Sequence, residues 1–186
     1  LGSHVDRDTT QISLEVLSKD LPVAVELLAD LVMQPSFSAE ELERTRRQLL
    51  AALQDVKEDP SKAATVAFMD QLYRGHPYGH PELGYERSVS KVTREEVLKF
   101  HRGVYRPERA HLVAVGDFKG AELRKLVSRA FASWPKQVSS HPALKMTLPP
   151  LPAEISGQKL VVVHRPGLTQ AQIRIGNLGY AVGEPS

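Results

Sequence analysis

The stretch Ser38-Ala-Glu-Glu-Leu-Glu-Arg-Thr-Arg-Arg-Gln-Leu-Leu-Ala-Ala-Leu-Gln-Asp-Val-Lys-Glu-Asp-Pro60 decides how the chain folds. Ser38 followed by Glu41 is a capping-box pattern, in which a hydroxyl and a carboxylate satisfy N–H groups that a first helical turn leaves unpaired. Leu42, Leu49, Leu53 and Val56 then recur on one face, and Asp59-Pro60 stops the run, so a helix of about five turns with one apolar side is predicted. Its charges alternate in sign. Glu40, Glu41, Glu43, Asp55, Glu58 and Asp59 interleave with Arg44, Arg46, Arg47 and Lys57, the pattern of a solvated face and not of an anion-binding one.

Upstream, Thr10-Gln-Ile-Ser-Leu-Glu-Val16 alternates, with Ile12, Leu14 and Val16 on one side, and reads as a strand. Asp20 is placed to cap a helix whose stripe is Leu21, Val25, Leu28 and Val32 and which Pro35 closes. Downstream of Pro60 a third helix buries Val66, Met69, Leu72 and Tyr73 and breaks at Gly75. Residues 75–84 hold Gly75, Gly79, Gly84, Pro77 and Pro81, which permits only turns and short extended pieces. Thr93 with Glu96 is a second capping box and opens a helix toward Tyr105-Arg106-Pro107. Leu112-Val-Ala-Val115 reads as a buried strand, and the run from Ala121 to Trp134 as a helix with Leu123, Leu126, Val127, Ala130 and Phe131 inward.

Beyond Trp134, the five prolines between Pro135 and Gly157 suggest a linker. Lys159–His164 and Thr169–Gly176 read as two strands joined through Arg165-Pro166-Gly167. Two strands are marginal in water, so they are expected to pair with a larger sheet. Together these elements predict an α+β fold, an antiparallel or mixed sheet faced by helices. The expected division is a first domain over 1–134, a linker over 135–157 and the opening strands of a second domain over 158–186. With no initiating Met and no signal-peptide pattern before the first strand, the chain is expected to be an interior part of a longer protein.

Composition narrows the function. At 186 residues, 41% hydrophobic and 25% charged, the chain is a globular type, and its longest apolar run, Leu49 to Leu53, is far short of the roughly 20 residues of a membrane helix. Lys and Arg number 24 against 22 Asp and Glu, a net charge of +2, which gives no nucleic-acid signature. Without cysteine there is no thiolate nucleophile or thiolate zinc site. Neither a Gly-x-Ser-x-Gly elbow nor a glycine-rich phosphate loop occurs. Of seven histidines, His76 and His80 are the one close pair. Each precedes a proline and Gly79 lies between them, so a helical ligand pair is disfavoured, and a turn using its imidazoles as hydrogen-bonding groups is expected.

Five segments in order carry a resemblance: Gln34-Pro-Ser-Phe37, Glu41-Leu-Glu-Arg44, Asp59-Pro-Ser-Lys-Ala-Ala64, His76-Pro-Tyr-Gly79 with Gly84, and Tyr105-Arg-Pro107 with His111-Leu-Val-Ala-Val-Gly-Asp117. In this order they resemble the insulinase-like M16 metallopeptidases, the family of pitrilysin and the mitochondrial processing peptidases. Gln158 to Tyr180 is similar to the opening strands of the second of the two homologous domains in each family subunit. The resemblance implies a metallohydrolase-like domain, zinc as the cofactor, a His-x-x-Glu-His helix giving two His ligands and a general base, and a downstream helix giving a Glu ligand. This chain has no His-x-x-Glu-His. On the downstream helix the family pattern of Glu-Arg, five residues and Glu places Thr45 at the supporting position and Ala52 at the ligand position. A methyl group cannot ligate zinc. Glu43 and Asp55, twelve apart, do not replace the pair.

What the resemblance then implies is a non-catalytic partner subunit. It would help a homologous M16 subunit carrying the zinc motif to enclose an unfolded peptide, with zinc held by that partner or by the parent. No catalytic, metal or substrate-binding residue is assigned within the chain. Two alternatives stay open: an active zinc metalloendopeptidase whose His-x-x-Glu-His lies upstream, and a non-proteolytic assembly protein of the same fold. A bacterial envelope location follows only by analogy with paired subunits of the family.

Overall fold

The computed structural model describes residues 1–134, 157 and 159–179. Its elements in chain order are β1 (Gly2–Val5), β2 (Thr10–Ser13), α1 (Leu21–Met33), α2 (Ala39–Glu58), α3 (Pro60–Leu72), α4 (Glu86–Val89), α5 (Arg94–Val104) and α6 (Gly120–Ala130). Single 3-10 turns occupy Ser18–Asp20, Pro77–Gly79 and Pro107–Arg109. The fold is α+β, as predicted. It divides into two compact units: Leu1–Leu42 with the described residues from Val92 to Trp134, and Glu43–Lys91 with the described residues from Gly157 to Gly179.

In the first unit β1 and β2 pair antiparallel, Gly2 opposite Ser13 and Val5 opposite Thr10. Asp6 ties the turn between them: its Oδ1 accepts from the N–H of Asp8 at 2.8 Å and of Thr9 at 2.6 Å, and its Oδ2 accepts from the Thr9 hydroxyl at 2.8 Å. The expected strand to Val16 ends at Ser13, and Val16 is exposed. β1 itself is an addition; its signal was the Asp6-Arg-Asp-Thr9 run, a side-chain-closed turn. α1 forms where predicted, but of its expected stripe only Val25 is buried; Leu21, Leu28 and Val32 are half-buried, and Ala24 and Ala29 join Val25 as its buried residues. Asp20 stands at its cap position, but its side chain makes no capping bond. Glu26 of α1 pairs with Arg129 of α6 at 2.6 Å. The capping box of α5 is complete: Thr93 Oγ1 accepts from the Glu96 N–H at 3.2 Å, and Glu96 Oε2 accepts from the Thr93 N–H at 2.7 Å.

In the second unit α2 continues, with Leu53 buried as predicted, and Asp59 caps α3 by accepting from the N–H groups of Ser61 at 2.7 Å and Lys62 at 3.1 Å. Pro60 follows at the first helical position, where its missing N–H is no loss. Leu72 is buried at the far end of this helix.

Three predicted strands are not formed. Leu112–Val115 carries no ladder and is open, with Val113 86% and Val115 95% exposed. Lys159–His164 and Thr169–Gly176 likewise run without ladder bonds on either side of a turn at Pro166-Gly167. Their apolar content asks for sheet neighbours, and among the described residues no strand lies beside them. The proline-rich linker, apart from Gly157, falls outside the described residues.

The carboxylates of Asp6, Asp59, Glu86 and Glu96 all lie below their ordinary range. The leading causes are the Thr9 hydroxyl bond on Asp6, the Lys62 N–H on Asp59, the Lys57 ammonium bond on Glu86 and the Thr93 N–H on Glu96. A depressed native value means the unfolded chain binds protons first on acidification. These contributions are therefore present above the ordinary carboxyl value of about 4 and are lost as pH falls through the depressed ones. Urea midpoints from pH 6 to pH 3 should fall, and Asp59→Asn should flatten part of that fall; a midpoint that rises on acidification would contradict the assignment.

Candidate functional site

The ligand-type helix of the sequence analysis is α2. Thr45 and Ala52 lie two turns apart, about 10.5 Å along the axis and on one face. Thr45 is exposed and Ala52 half-buried beside Leu53. Of the acids on this helix, Glu43 binds Arg46 at 3.1 Å and Glu58 accepts from the Gln54 amide at 2.7 Å. A hydroxyl and a methyl in place of two carboxylates do not fit zinc, which takes thiolate, imidazole or carboxylate donors. Among the described residues no group of three or more His, Asp or Glu is placed to hold a metal ion.

The turn at Gly75–Gly84 is built around its histidines. His76, 4% exposed, caps the 3-10 turn by accepting at Nδ1 from the Tyr78 N–H at 3.2 Å. Its ring lies 5.0 Å from that of Tyr78 and 6.0 Å from that of Tyr73. His80 Nδ1 is 3.1 Å from the Tyr85 hydroxyl. Each ring thus has its Nδ1 in a local hydrogen bond, an arrangement that orders a loop. Gly79 is required here by space: a Cβ would sit 2.7 Å from the Tyr73 carbonyl oxygen, which already accepts from the His76 N–H at 2.9 Å.

Sequence reasoning did not find the long-range contacts that fix these elements. Arg46, half-buried, donates from Nη1 to the Val89 carbonyl at the end of α4, and Lys57 pairs with Glu86 at the start of α4. Arg165 donates to the carbonyls of Lys57 and Glu58 at the C-terminus of α2, the latter at 3.1 Å. Arg174 donates to Ser61 Oγ at 2.6 Å and to Thr65 Oγ1 at 3.2 Å on α3. Only their charge was visible in the sequence; their partners lie 29 to 113 residues away.

Comparison with known proteins identifies a family. The family described as Peptidase M16 inactive domain matches residues 91–185, and the family described as Insulinase (Peptidase family M16) matches residues 1–85. An uncharacterized zinc protease of Mycobacterium bovis is 34% identical over 133 residues, 72% of this chain and 30% of that protein. The mitochondrial-processing peptidase subunit alpha of Homo sapiens is 35% identical over 115 residues, 61% of this chain and 22% of that protein. A crystal structure of a peptidase M16 inactive domain from Pseudomonas fluorescens superposes with a TM-score of 0.58 at 31% identity, over 61% of this chain and 28% of that one. The α+β fold and the matches to the two family models place the molecule in the class of metallopeptidase homologues. The chain belongs to the M16 peptidase family. It spans less than a third of the length of the curated relatives it matches.

Two outcomes test this geometry. Gly79→Ala should destabilise the chain by roughly 1–3 kcal/mol through overpacking on backbone. Gly103→Ala in α5, where a Cβ meets nothing within 4 Å, should stabilise it by up to about 1 kcal/mol; urea titration of both distinguishes space from composition. For zinc, dialysis followed by metal analysis should leave well under one equivalent per chain, unchanged in His76→Ala with His80→Ala. A stoichiometric, chelator-resistant zinc would contradict the donor set.

Proposed function

We infer that the chain is part of an M16 subunit of the non-catalytic partner type, one that helps a zinc-bearing homologous subunit hold an unfolded peptide for cleavage. The observation that carries this is Ala52, with Thr45, on the face of α2 where active family members are expected to place their carboxylates. A catalytic zinc needs three protein ligands and one open position, so a helix without a donor weakens any site built on it. The human relative is by name one subunit of a processing peptidase, which favours a paired assembly. On this reading residues 1–134 belong to the first M16-like domain and 158–186 open the second. An extended peptide bound beside exposed strand-like segments would satisfy its own backbone groups there.

A second reading, an active zinc peptidase with a different third ligand, is favoured by the name of the mycobacterial relative as a zinc protease. Cleavage of a quenched unstructured peptide separates the two. The longer protein of which this chain forms part should be inactive alone and should raise the activity of a subunit carrying His-x-x-Glu-His when the two are mixed. Chelator-sensitive turnover by the purified protein alone supports the active enzyme instead, and no gain on mixing supports an assembly role without proteolysis.

A further inference from the structure

We propose that Arg94 and His101 form a two-point clamp that holds the junction between α1 and α2 in a strained conformation, making residues 34–38 a latch and not a passive loop. Phe37 is the one non-glycine residue with positive φ among the described residues, at 40°, a region where a Cβ crowds the backbone. Such a conformation persists only when its surroundings over-determine it. They do so from α5. The Arg94 guanidinium reaches two successive carbonyls, donating from Nε to Phe37 O at 2.7 Å and from Nη2 to Ser36 O at 3.0 Å. Two turns on, His101 Nε2 lies 2.8 Å from Val32 O in the last turn of α1, and since a carbonyl only accepts, the ring donates. The Phe37 ring meets the His101 ring edge to face at 5.5 Å, and His101 is backed by Tyr105 at 4.7 Å.

Positions 94 and 101 are seven apart and so share one face of α5, which spans the junction from Val32 to Phe37. The placement of Arg94 is informative in itself. It is the first residue of α5, where a helix dipole disfavours a cation and favours the acids that follow at Glu95 and Glu96. A cation set against that field is explained by the two carbonyls it grips. The capping box at Thr93 and Glu96 in turn fixes the start of α5 and hence the root of the arginine. One residue after Phe37, Ser38 accepts from the Glu41 N–H at 3.3 Å and opens α2. Release of the clamp would let Phe37 return to negative φ and loosen the first turn of α2, which opens at Ser38.

Amide hydrogen exchange on the 186-residue chain, resolved to residues 34–42 with α6 as the internal reference, tests the clamp. Arg94→Gln should speed exchange at 36–42 at least tenfold relative to α6, and Arg94→Lys, which keeps the charge without the fork, should fall between it and the parent. Phe37→Gly removes the strain, so Arg94→Gln in that background should have a markedly smaller effect than in the parent. If Arg94→Gln does not fold, the comparison is made between Arg94→Lys alone and with Phe37→Gly. Unchanged exchange at 36–42, or an effect of equal size with Gly at 37, would overturn the proposal and leave Arg94 an ordinary surface hydrogen-bonding residue.

Discussion

The backbone groups that a helix cannot pair for itself organise this molecule. Each helix leaves four N–H groups and four C=O groups without internal partners at its ends. At the N-termini of α2, α3 and α5 and of the 3-10 turn that follows α3 the partners are side chains from the same local segment: Ser38, Asp59, Thr93 with Glu96, and His76. At the C-termini of α1 and α2 they come from a distance. His101 serves a carbonyl of α1, and Arg165 serves two at the end of α2. Cations and ring N–H donors are the suitable groups there, because the carbonyl end of a helix carries the negative pole of its dipole.

This asymmetry explains which parts of the fold could be read in advance. Capping boxes and stripes are patterns within four residues, so α2, α3 and α5 stand within a residue or two of their expected limits, with Leu53 and Leu72 inside. The C-terminal partners are pairings across 69 to 108 residues, and one sequence holds no trace of which side chain finds which carbonyl. Strands show the same limit from the other side. Leu112–Val115 and Lys159–His164 have strand composition, but a strand is defined by its neighbour, and none lies beside them among the described residues.

The candidate site divides in the same way. That Thr45 and Ala52 share a face of α2 followed from their spacing, and the structure keeps both on one continuous helix. The tight turn at Gly79 and the engagement of His76 Nδ1 needed coordinates, because the Tyr73 carbonyl that excludes a Cβ is set by how α3 ends. Sequence gave the warning that two imidazoles before prolines do not form a helical pair; the rings' tyrosine partners were not visible in it.

On the proposed reading Thr45 and Ala52 stand where active relatives carry carboxylates, and such an exchange changes chemistry without undermining the helix. Alanine is the best intrinsic helix former, and a half-buried methyl needs no counter-charge, whereas a carboxylate beside Leu53 would have to be paired or desolvated. α2 draws its stability from the stripe of Leu42, Leu49, Leu53 and Val56, from the Ser38 cap and from the arginine at its carbonyl end. None of these involves a metal. A scaffold whose supports are independent of positions 45 and 52 keeps its shape whatever chemistry those two positions carry.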